Sequence, residues 1–388
     1  MTTAKFTTVF DWDTIQSADS TEWCPLAPNQ NVFVCGTYQI EKKEGEGNDP
    51  SSPPTHRLGR IYVFEVSDTL ALKPHQVLDL PAVLDLKWSL QKICGKTLLG
   101  VVTATAALLI LELQEDKQLV KLFETEVKGP NDIKETLALS LDWSCGRSSV
   151  DAFGDNQVYI TVSDSQGGAN LFKISENMDL TLLKRWQGHE YEAWICAFNY
   201  WEPSVVFSGG DDCVLKGWDI RTGLDTPIFL NRSHNAGVTS LQSNALFENI
   251  LVSGSYDEQL RMWDTRKMKN PLHLLNLSGG VWRVKWDPFS HNSILAACMH
   301  GGFHVVKCKD TLNSSGEPTI LASYNNHASI AYGADWCHLD SPSVKMLFAS
   351  DEGALQPTLE YDHNLTLVST CSFYDHKLCV SVLSEKQT

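Results

Sequence analysis

The sequence predicts an all-β protein, a seven-bladed β-propeller that uses the whole chain of 388 residues as a single domain, residues 1–388. Seven short apolar segments end in an aromatic residue or in a residue that replaces it, and their ends lie 43 to 65 residues apart. A period near 40 to 50 residues is typical of propeller blades that each contain four strands. No long segment shows the sustained 3.6-residue periodicity of an amphipathic helix.

The seven segments are predicted to be the innermost strands of the seven blades. In chain order they are Ala18–Trp23, Val83–Trp88, Ala138–Trp143, Ala193–Phe198, Val238–Ser243, Val281–Trp286 and Ala331–Trp336. Seven inner strands require seven outer strands, but the last unit reaches the end of the chain near Leu383. The early strand Lys5–Phe10 is therefore expected to close the ring as the outer strand of blade seven, which leaves no open sheet edge there.

Two insertions interrupt the pattern of blades. The segment Glu41–Arg57, about residues 41–57, is rich in Gly, Pro, Ser and charged residues, which predicts a surface loop. The segment His338–Asn364, residues 338–364, lies between the first two strands of blade seven and is also predicted to be a surface loop.

The fourth and fifth units repeat each other without a gap. Each has a histidine, then a serine and an aspartate, then a Trp-Asp pair, and the equivalent residues are 45 positions apart. This pattern resembles the WD-repeat family, in which these side chains form a hydrogen-bonded chain inside the blade. Buried indole and imidazole groups need such partners. The resemblance implies structural roles for His189, Asp212, Trp218, His234, Asp257 and Trp263.

The other units depart from the pattern. Units one to three lack the Trp-Asp pair, and unit six has His300 where unit five has Asp257. Unit seven has Asp375 at the matching place, but Ser381 where Trp263 would be expected.

The formal net charge is −16, which argues against general nucleic-acid binding and against docking on anionic membranes. It favours a cationic ligand or a basic partner surface. The N-terminus shows no signal-peptide pattern, and the eleven cysteines have no CxxC spacing. We therefore expect free thiols and a cytoplasmic location.

Several strings along the chain are not generic WD-repeat sequence. They are Asp19–Pro25, Cys35–Gln39, Glu192–Ile195 with Phe198–Trp201, Gly279–Arg283, Ala296–His300, Tyr332–Trp336 and Cys371–His376. These strings are similar to those of the diphthine methyl ester hydrolases of the diphthamide pathway. The resemblance extends over almost the full length of the chain, from about Ala18 to His376. The resemblance implies a hydrolase that removes a methyl ester from a modified histidine on elongation factor 2, before the final amidation. We expect no cofactor and no metal.

The sequence contains neither a Gly-x-Ser-x-Gly nucleophile motif nor a His-Glu-x-x-His zinc motif. The substrate that the resemblance implies carries a trimethylammonium group, which aromatic faces and carboxylates would hold. Propeller geometry brings the connections between blades and the turns between second and third strands to one face. The predicted substrate-binding residues on this face are Glu192, Trp194, Trp282, Arg283, Tyr332 and Tyr374.

Other residues are expected on the same face, namely Asp211, Tyr256 and Ser163–Ser165. The aromatic residues have a simpler interpretation, because Trp194, Trp282 and Tyr332 could pack between blades. Arg283 could likewise form an ion pair with an Asp or Glu of a neighbouring blade instead of facing the carboxyl end of the substrate.

The catalytic candidates are His300, Cys298 and His376. Histidine titrates in the range that suits a general base, and His300 replaces the usual structural aspartate. Cys298 precedes it by two residues, which would place both side chains on one side of a strand as a Cys–His pair. Alternatively Cys298 is a small buried residue. His376 is the second candidate base.

Two other functions fit the same features. One is a non-catalytic adaptor that binds a protein segment on this face, because most WD-repeat chains are interaction platforms. The other is a reader that binds a methylated cation without hydrolysing an ester. Loss of turnover with retained binding in single variants would favour the enzyme.

Overall fold

The computed structural model describes residues 4–41, 56–67, 72–127, 135–147, 157–308, 316–349, 359 and 362–386. These residues form seven four-stranded sheets, and every pair of hydrogen-bonded neighbours within them is antiparallel. The first strand of each blade contacts the first strand of the next, and blade 7 contacts blade 1, so the ring is closed. The predicted seven-bladed propeller is confirmed.

In blades 1 to 6 the strands follow chain order from the centre outward. Blades 1 to 3 contain β2 (Ser17–Trp23), β3 (Val32–Ile40), β4 (Arg57–Glu65), β5 (Pro74–Pro81), β6 (Val83–Trp88), β7 (Leu98–Thr103), β8 (Ala107–Leu113), β9 (Leu119–Glu126), β10 (Ala138–Trp143), β11 (Val158–Asp164), β12 (Gly168–Ile174) and β13 (Leu180–Gln187). Blades 4 to 6 contain β14 (Ile195–Phe198), β15 (Val205–Gly209), β16 (Leu215–Asp219), β17 (Phe229–Asn231), β18 (Val238–Ser243), β19 (Ile250–Ser255), β20 (Gln259–Asp264), β21 (His273–Asn276), β22 (Arg283–Trp286), β23 (Ser293–Ala297), β24 (Phe303–Lys307) and β25 (Thr319–Tyr324).

Blade 7 is built from both ends of the chain. Its strands are β26 (Ala331–Trp336), β27 (Asn364–Ser372), β28 (Lys377–Glu385) and, as the outer strand, β1 (Ala4–Asp13). The register of β1 against β28 runs from Ala4 opposite Glu385 to Asp13 opposite Lys377. The expected closure by the N-terminal strand is therefore confirmed.

Tryptophans at the ends of several inner strands tie their blade to the one before it. The indole N–H of Trp88 donates to the carbonyl of Glu22 at 3.2 Å, and that of Trp143 donates to the carbonyl of Lys87 at 2.9 Å. Trp336 makes the same bond to Lys285 at 2.9 Å. These contacts give a physical reason for the repeated tryptophans, because a buried indole N–H needs an acceptor.

The expected surface loop at 338–364 contains a helix, α1 (Ser341–Ala349). Asp340 caps it, since its carboxylate accepts the backbone N–H of Ser343 at 2.9 Å. Val344 and Phe348 are one helical turn apart and both are buried in the core shared by blades 1 and 7. In the other insertion, 41–57, residues 42–55 lie outside the described residues.

All eleven cysteines are free, as expected.

Candidate functional site

A cavity of about 560 Å³ opens where the central channel reaches one face of the propeller. Its lining comes from the inner strands, the connections between blades and the turns between second and third strands of several blades. Pockets of this size suit a small ligand or a modified side chain.

β-Bulges aim inner-strand side chains at this cavity. The register shifts once in the first strand of blades 1, 2, 3, 5 and 7, so that residues there have no partner on the second strand. A bulge re-aims its side chain, and bulges occur often beside active sites. Five bulge residues line the cavity, namely Asp19, Leu84, Leu139, Thr239 and Tyr332.

Seven aromatic rings form a continuous wall of the cavity, with neighbouring ring centroids 4.7 to 6.1 Å apart. We call this the aromatic wall; it consists of Tyr38, Trp194, Tyr256, Trp282, Tyr332, Phe373 and Tyr374. Six of these rings are half-buried and Tyr374 is 71% exposed, so ring surface remains open to a ligand. Several aromatic faces around one space are the arrangement that binds quaternary ammonium groups.

Two tryptophans of the wall differ in their hydrogen bonds. The indole N–H of Trp194 donates to Asp211 Oδ1 at 2.9 Å, and the backbone N–H of Asp211 donates to the carbonyl of Glu192 at 2.9 Å. These bonds fix the Trp194 ring beside the carboxylate of Asp211. In contrast, the buried indole N–H of Trp282 has no hydrogen-bond partner.

Two charged residues of the cavity floor, Arg283 and Asp19, belong to a cluster of buried charges. Arg283 Nη1 lies 3.2 Å from Asp85 Oδ1, and Lys87 Nζ lies 2.8 Å from Asp85 Oδ2. Burial opposes ionisation of Asp85, but these two cations hold its pKa below the ordinary value. Asp19 lies in the same floor, where burial outweighs the attraction of Arg283 and raises its pKa well above the ordinary value.

The structure brings most of the predicted site residues together. All six predicted substrate-binding residues line the cavity, as does the candidate base His376. Arg283 lines the cavity and forms an ion pair, but its partner Asp85 lies in blade 2, which, contrary to expectation, is not a neighbour of blade 6. The lining of the cavity does not include His300 or Cys298.

The expected pairing of Cys298 with His300 is wrong. Cys298 is 0% exposed in an apolar cluster between blades 5 and 6, and burial raises the pKa of its thiol. His300 is exposed in the turn between β23 and β24. The backbone turns directly after Cys298, with Met299 at positive φ, so the alternation of a strand does not apply to the two side chains.

The six WD-repeat residues lie inside blades 4 and 5. In blade 4, Trp218 Nε1 donates to Ser208 Oγ at 2.8 Å, and His189 Nε2 lies 2.8 Å from the same oxygen. His189 Nδ1 lies 2.9 Å from Asp212 Oδ1.

Blade 5 repeats most of this chain. Trp263 Nε1 donates to Ser253 Oγ at 2.8 Å and His234 Nε2 lies 3.0 Å from it. Arg261 replaces part of the contact between His234 and Asp257, because it donates to Asp257 Oδ2 at 2.8 Å.

The sequence reasoning missed Asp19, Tyr38 and Phe373 as site residues, although each lines the cavity. All three lie in the strings that carry the family resemblance, which is the signal that could have identified them. The bulge that turns Asp19 toward the cavity has no marker in the sequence.

Within the described ranges, no group of three or more His, Cys, Asp or Glu side chains is arranged to hold a metal ion. In the same part of the chain, no helix is both long and apolar enough to cross a membrane.

Fold and cavity together define a WD-repeat propeller with an aromatic pocket at its central opening. Residues 226–264 match the WD domain, G-beta repeat family. A chain of the solved structure "Crystal Structure of Mitotic Checkpoint Complex" aligns with a TM-score of 0.64 and 16% identity, covering 97% of this chain and 91% of that chain. At that identity the likeness speaks for the fold alone.

The chain belongs to the diphthine methyltransferase family. It is 41% identical to the Mus musculus diphthine methyltransferase, over 90% of this chain and 75% of the mouse protein. The Homo sapiens diphthine methyltransferase is also 41% identical, with coverages of 84% and 74%. A Dictyostelium discoideum homolog is 38% identical, with coverages of 82% and 89%.

Proposed function

We propose that this chain acts in diphthamide biosynthesis, where it hydrolyses the methyl ester of diphthine on elongation factor 2 and releases methanol. The observation that carries the proposal is the aromatic wall, seven rings around one cavity of about 560 Å³. Diphthine bears a trimethylammonium group, and such a cation is attracted to ring faces by roughly 0.5–2 kcal/mol each. The cytoplasmic translation factor as substrate makes the cytoplasm the proposed place of action.

The charges around the cavity support a substrate that is cationic at one end and an ester at the other. Glu192 lines the cavity, and Asp211 accepts the Trp194 indole N–H beside it. Arg283 lies in the floor, where its guanidinium can donate to an ester carbonyl or to the product carboxylate. A cation held by the wall would therefore leave the ester near Arg283.

The names of the relatives describe methyl transfer, whereas hydrolysis transfers the acyl group to water and the methyl leaves with the methoxy oxygen. In ester hydrolysis, water attacks the carbonyl carbon and the methoxy group leaves as methanol. A positioned base and donors for the developing oxyanion are sufficient for this chemistry. The cavity floor offers a carboxyl group in Asp19 and a donor in Arg283.

The test is incubation of the purified chain with elongation factor 2 that carries methylated diphthine. We expect methanol release and the loss of one methylene mass from the modified peptide, with the unmodified factor as the control substrate. Parallel reactions contain a chelator or added S-adenosylmethionine. Binding without methanol release would favour the adaptor or the reader of methylated cations, and methyl incorporation from S-adenosylmethionine would favour a transferase.

A further inference from the structure

Asp19 differs from the other side chains that the bulges aim into the cavity. Leu84, Leu139, Thr239 and Tyr332 are apolar or neutral, so Asp19 is the acidic one among the bulge residues that the structure describes. It lies between Ala18, opposite Thr37, and Ser20, opposite Gly36, and has no partner on β3. The bulge therefore places a carboxyl group at the floor of the aromatic pocket.

The carboxyl group of Asp19 is buried without being satisfied. The residue is 3% exposed, and its Oδ1 atom has no hydrogen-bond partner. Buried polar atoms are nearly always paired, so an unpaired carboxylate oxygen that faces a cavity indicates a partner supplied by a bound molecule. A water molecule or a substrate hydroxyl would be such a partner.

The surroundings of Asp19 fit an ester reaction. Arg283 lines the same floor, and its described ion pair is the one with Asp85. A guanidinium carries five N–H donors, more than the ion pair with Asp85 uses, so Arg283 can also donate to a molecule in the cavity. Burial raises the pKa of Asp19 well above its ordinary value, which makes its carboxylate a stronger base than an exposed one.

We infer that Asp19 is the catalytic base of the proposed hydrolysis and that Arg283 stabilises the oxyanion; this inference rests on the proposed function. The Asp19 carboxylate takes one proton from a water molecule as the water oxygen bonds to the ester carbonyl carbon. The carbonyl electron pair moves onto its oxygen, which accepts from Arg283. When the bond to the methoxy group breaks, methoxide takes the proton from Asp19 and leaves as methanol. The product acid then releases its proton to solvent.

The experiment compares Asp19→Asn with wild type on the methyl-esterified factor. Asparagine keeps the size of the side chain but cannot accept the proton, so kcat should fall by about 10²–10⁴ while KM stays nearly unchanged. Asp19→Ala should be equally slow and should regain turnover when formate is added. This rescue tests the role of Asp19 as base even if the asparagine variant does not fold. Circular dichroism checks the folding of each variant.

Asp142→Asn is the matched control. Asp142 is also a buried inner-strand aspartate, where burial raises its pKa to about 6, but it accepts the Phe198 N–H at 2.8 Å and does not line the cavity. Its variant should keep turnover close to wild type. His300→Gln tests the rival base.

Wild-type turnover by folded Asp19→Asn would overturn the inference, as would a raised KM with normal kcat, which would make Asp19 a cation-binding residue. Absence of rescue by formate, or loss of turnover in His300→Gln alone, would also count against it. Failure of the wild-type chain to release methanol would instead remove the proposed function.

Discussion

The interior of blades 4 and 5 and the lining of the aromatic pocket contain similar side chains, but their polar atoms differ in hydrogen bonding. In blade 5, the Trp263 indole donates to Ser253, which His234 contacts from the other side. At the pocket, the indole N–H of Trp282 and the Oδ1 atom of Asp19 have no partner. Both regions contain tryptophan and aspartate, but Trp263 and Asp257 have hydrogen-bond partners for their polar atoms, and Trp282 Nε1 and Asp19 Oδ1 do not.

This difference separates structural from functional residues on physical grounds. An unpaired buried polar group costs about 1–3 kcal/mol, so a protein gains by pairing it unless a ligand completes the bond. Unpaired atoms also occur in the core, for example the indole N–H of Trp186. The criterion therefore requires both an unpaired atom and an adjacent cavity, and Asp19 and Trp282 satisfy both.

The largest expected effect is a loss of stability at Trp263, whose indole N–H is hydrogen-bonded inside blade 5. Trp263→Ala should lower the free energy of unfolding by roughly 3–5 kcal/mol, because it removes a fully buried aromatic side chain and leaves a cavity. It also deprives Ser253 Oγ of a hydrogen bond. Urea unfolding followed by tryptophan fluorescence or circular dichroism measures the change.

Trp282→Ala provides the contrast for this measurement. Its ring is half-buried at the pocket, so the same substitution should cost much less unfolding free energy. Equal losses of stability in the two variants would contradict the distinction between the two regions.

The second expected effect concerns His327, a blade-internal histidine of blade 7. Its Nε2 lies 2.9 Å from Thr370 Oγ1 and its Nδ1 lies 2.6 Å from Ser372 Oγ. Burial lowers its pKa to about 4, while Asp375 opposes the shift and Lys377 adds to it. The unfolded chain, with an ordinary pKa near 6.5, binds more protons between these values. Stability from neutral His327 is thus complete above pH 6.5 and lost as the pH falls toward 4.

This shift corresponds to as much as about 3 kcal/mol of stability. In His327→Gln the unfolding free energy should therefore depend less steeply on pH between 6.5 and 4, as measured by urea unfolding at several pH values. An unchanged slope in His327→Gln would mean that this histidine is not held neutral in the blade.

Much of the fold was predictable, because the propeller repeats its signal. Most inner strands end at a residue such as Trp143 or Trp336 that bonds to the blade before it, so the pattern recurs along the chain. Helix α1 was not predicted because it is short and its evidence is local. Only the cap at Asp340 and the pair Val344 and Phe348 mark it in the sequence.

Site residues were predictable from the sequence where the geometry of the blade alone determines on which face a residue lies. Trp194, Trp282 and Tyr374 lie in connections or turns that a propeller brings to one face, and they line the cavity. Asp19 and Cys298 show the limit. A one-residue bulge turns Asp19 into the cavity, whereas Cys298 remains in the core. Whether one side chain faces a cavity or a core depends on local backbone shifts that alternation along a strand does not reveal.

The smallest expected effect is on ligand binding. It concerns Trp282, whose ring lies in the middle of the aromatic wall and whose indole N–H has no partner. Its centroid lies 4.7 Å from that of Tyr332 and 5.7 Å from that of Trp194. Trp282→Ala removes one face and should weaken binding of the diphthine-bearing factor by roughly 0.5–2 kcal/mol. This corresponds to a rise in Kd of about 2- to 30-fold, measurable by isothermal titration calorimetry.

Trp282→Phe decides which part of the indole acts. Phenylalanine keeps an aromatic face but lacks the N–H, which is buried and unpaired in the free protein. If the face binds the cation, the phenylalanine variant should bind more tightly than the alanine variant and close to wild type. If the N–H donates to the ligand instead, the two variants should be equally weak. Wild-type affinity in both would show that Trp282 contributes nothing to binding, and the unpaired N–H would then resemble that of Trp186 rather than mark a site.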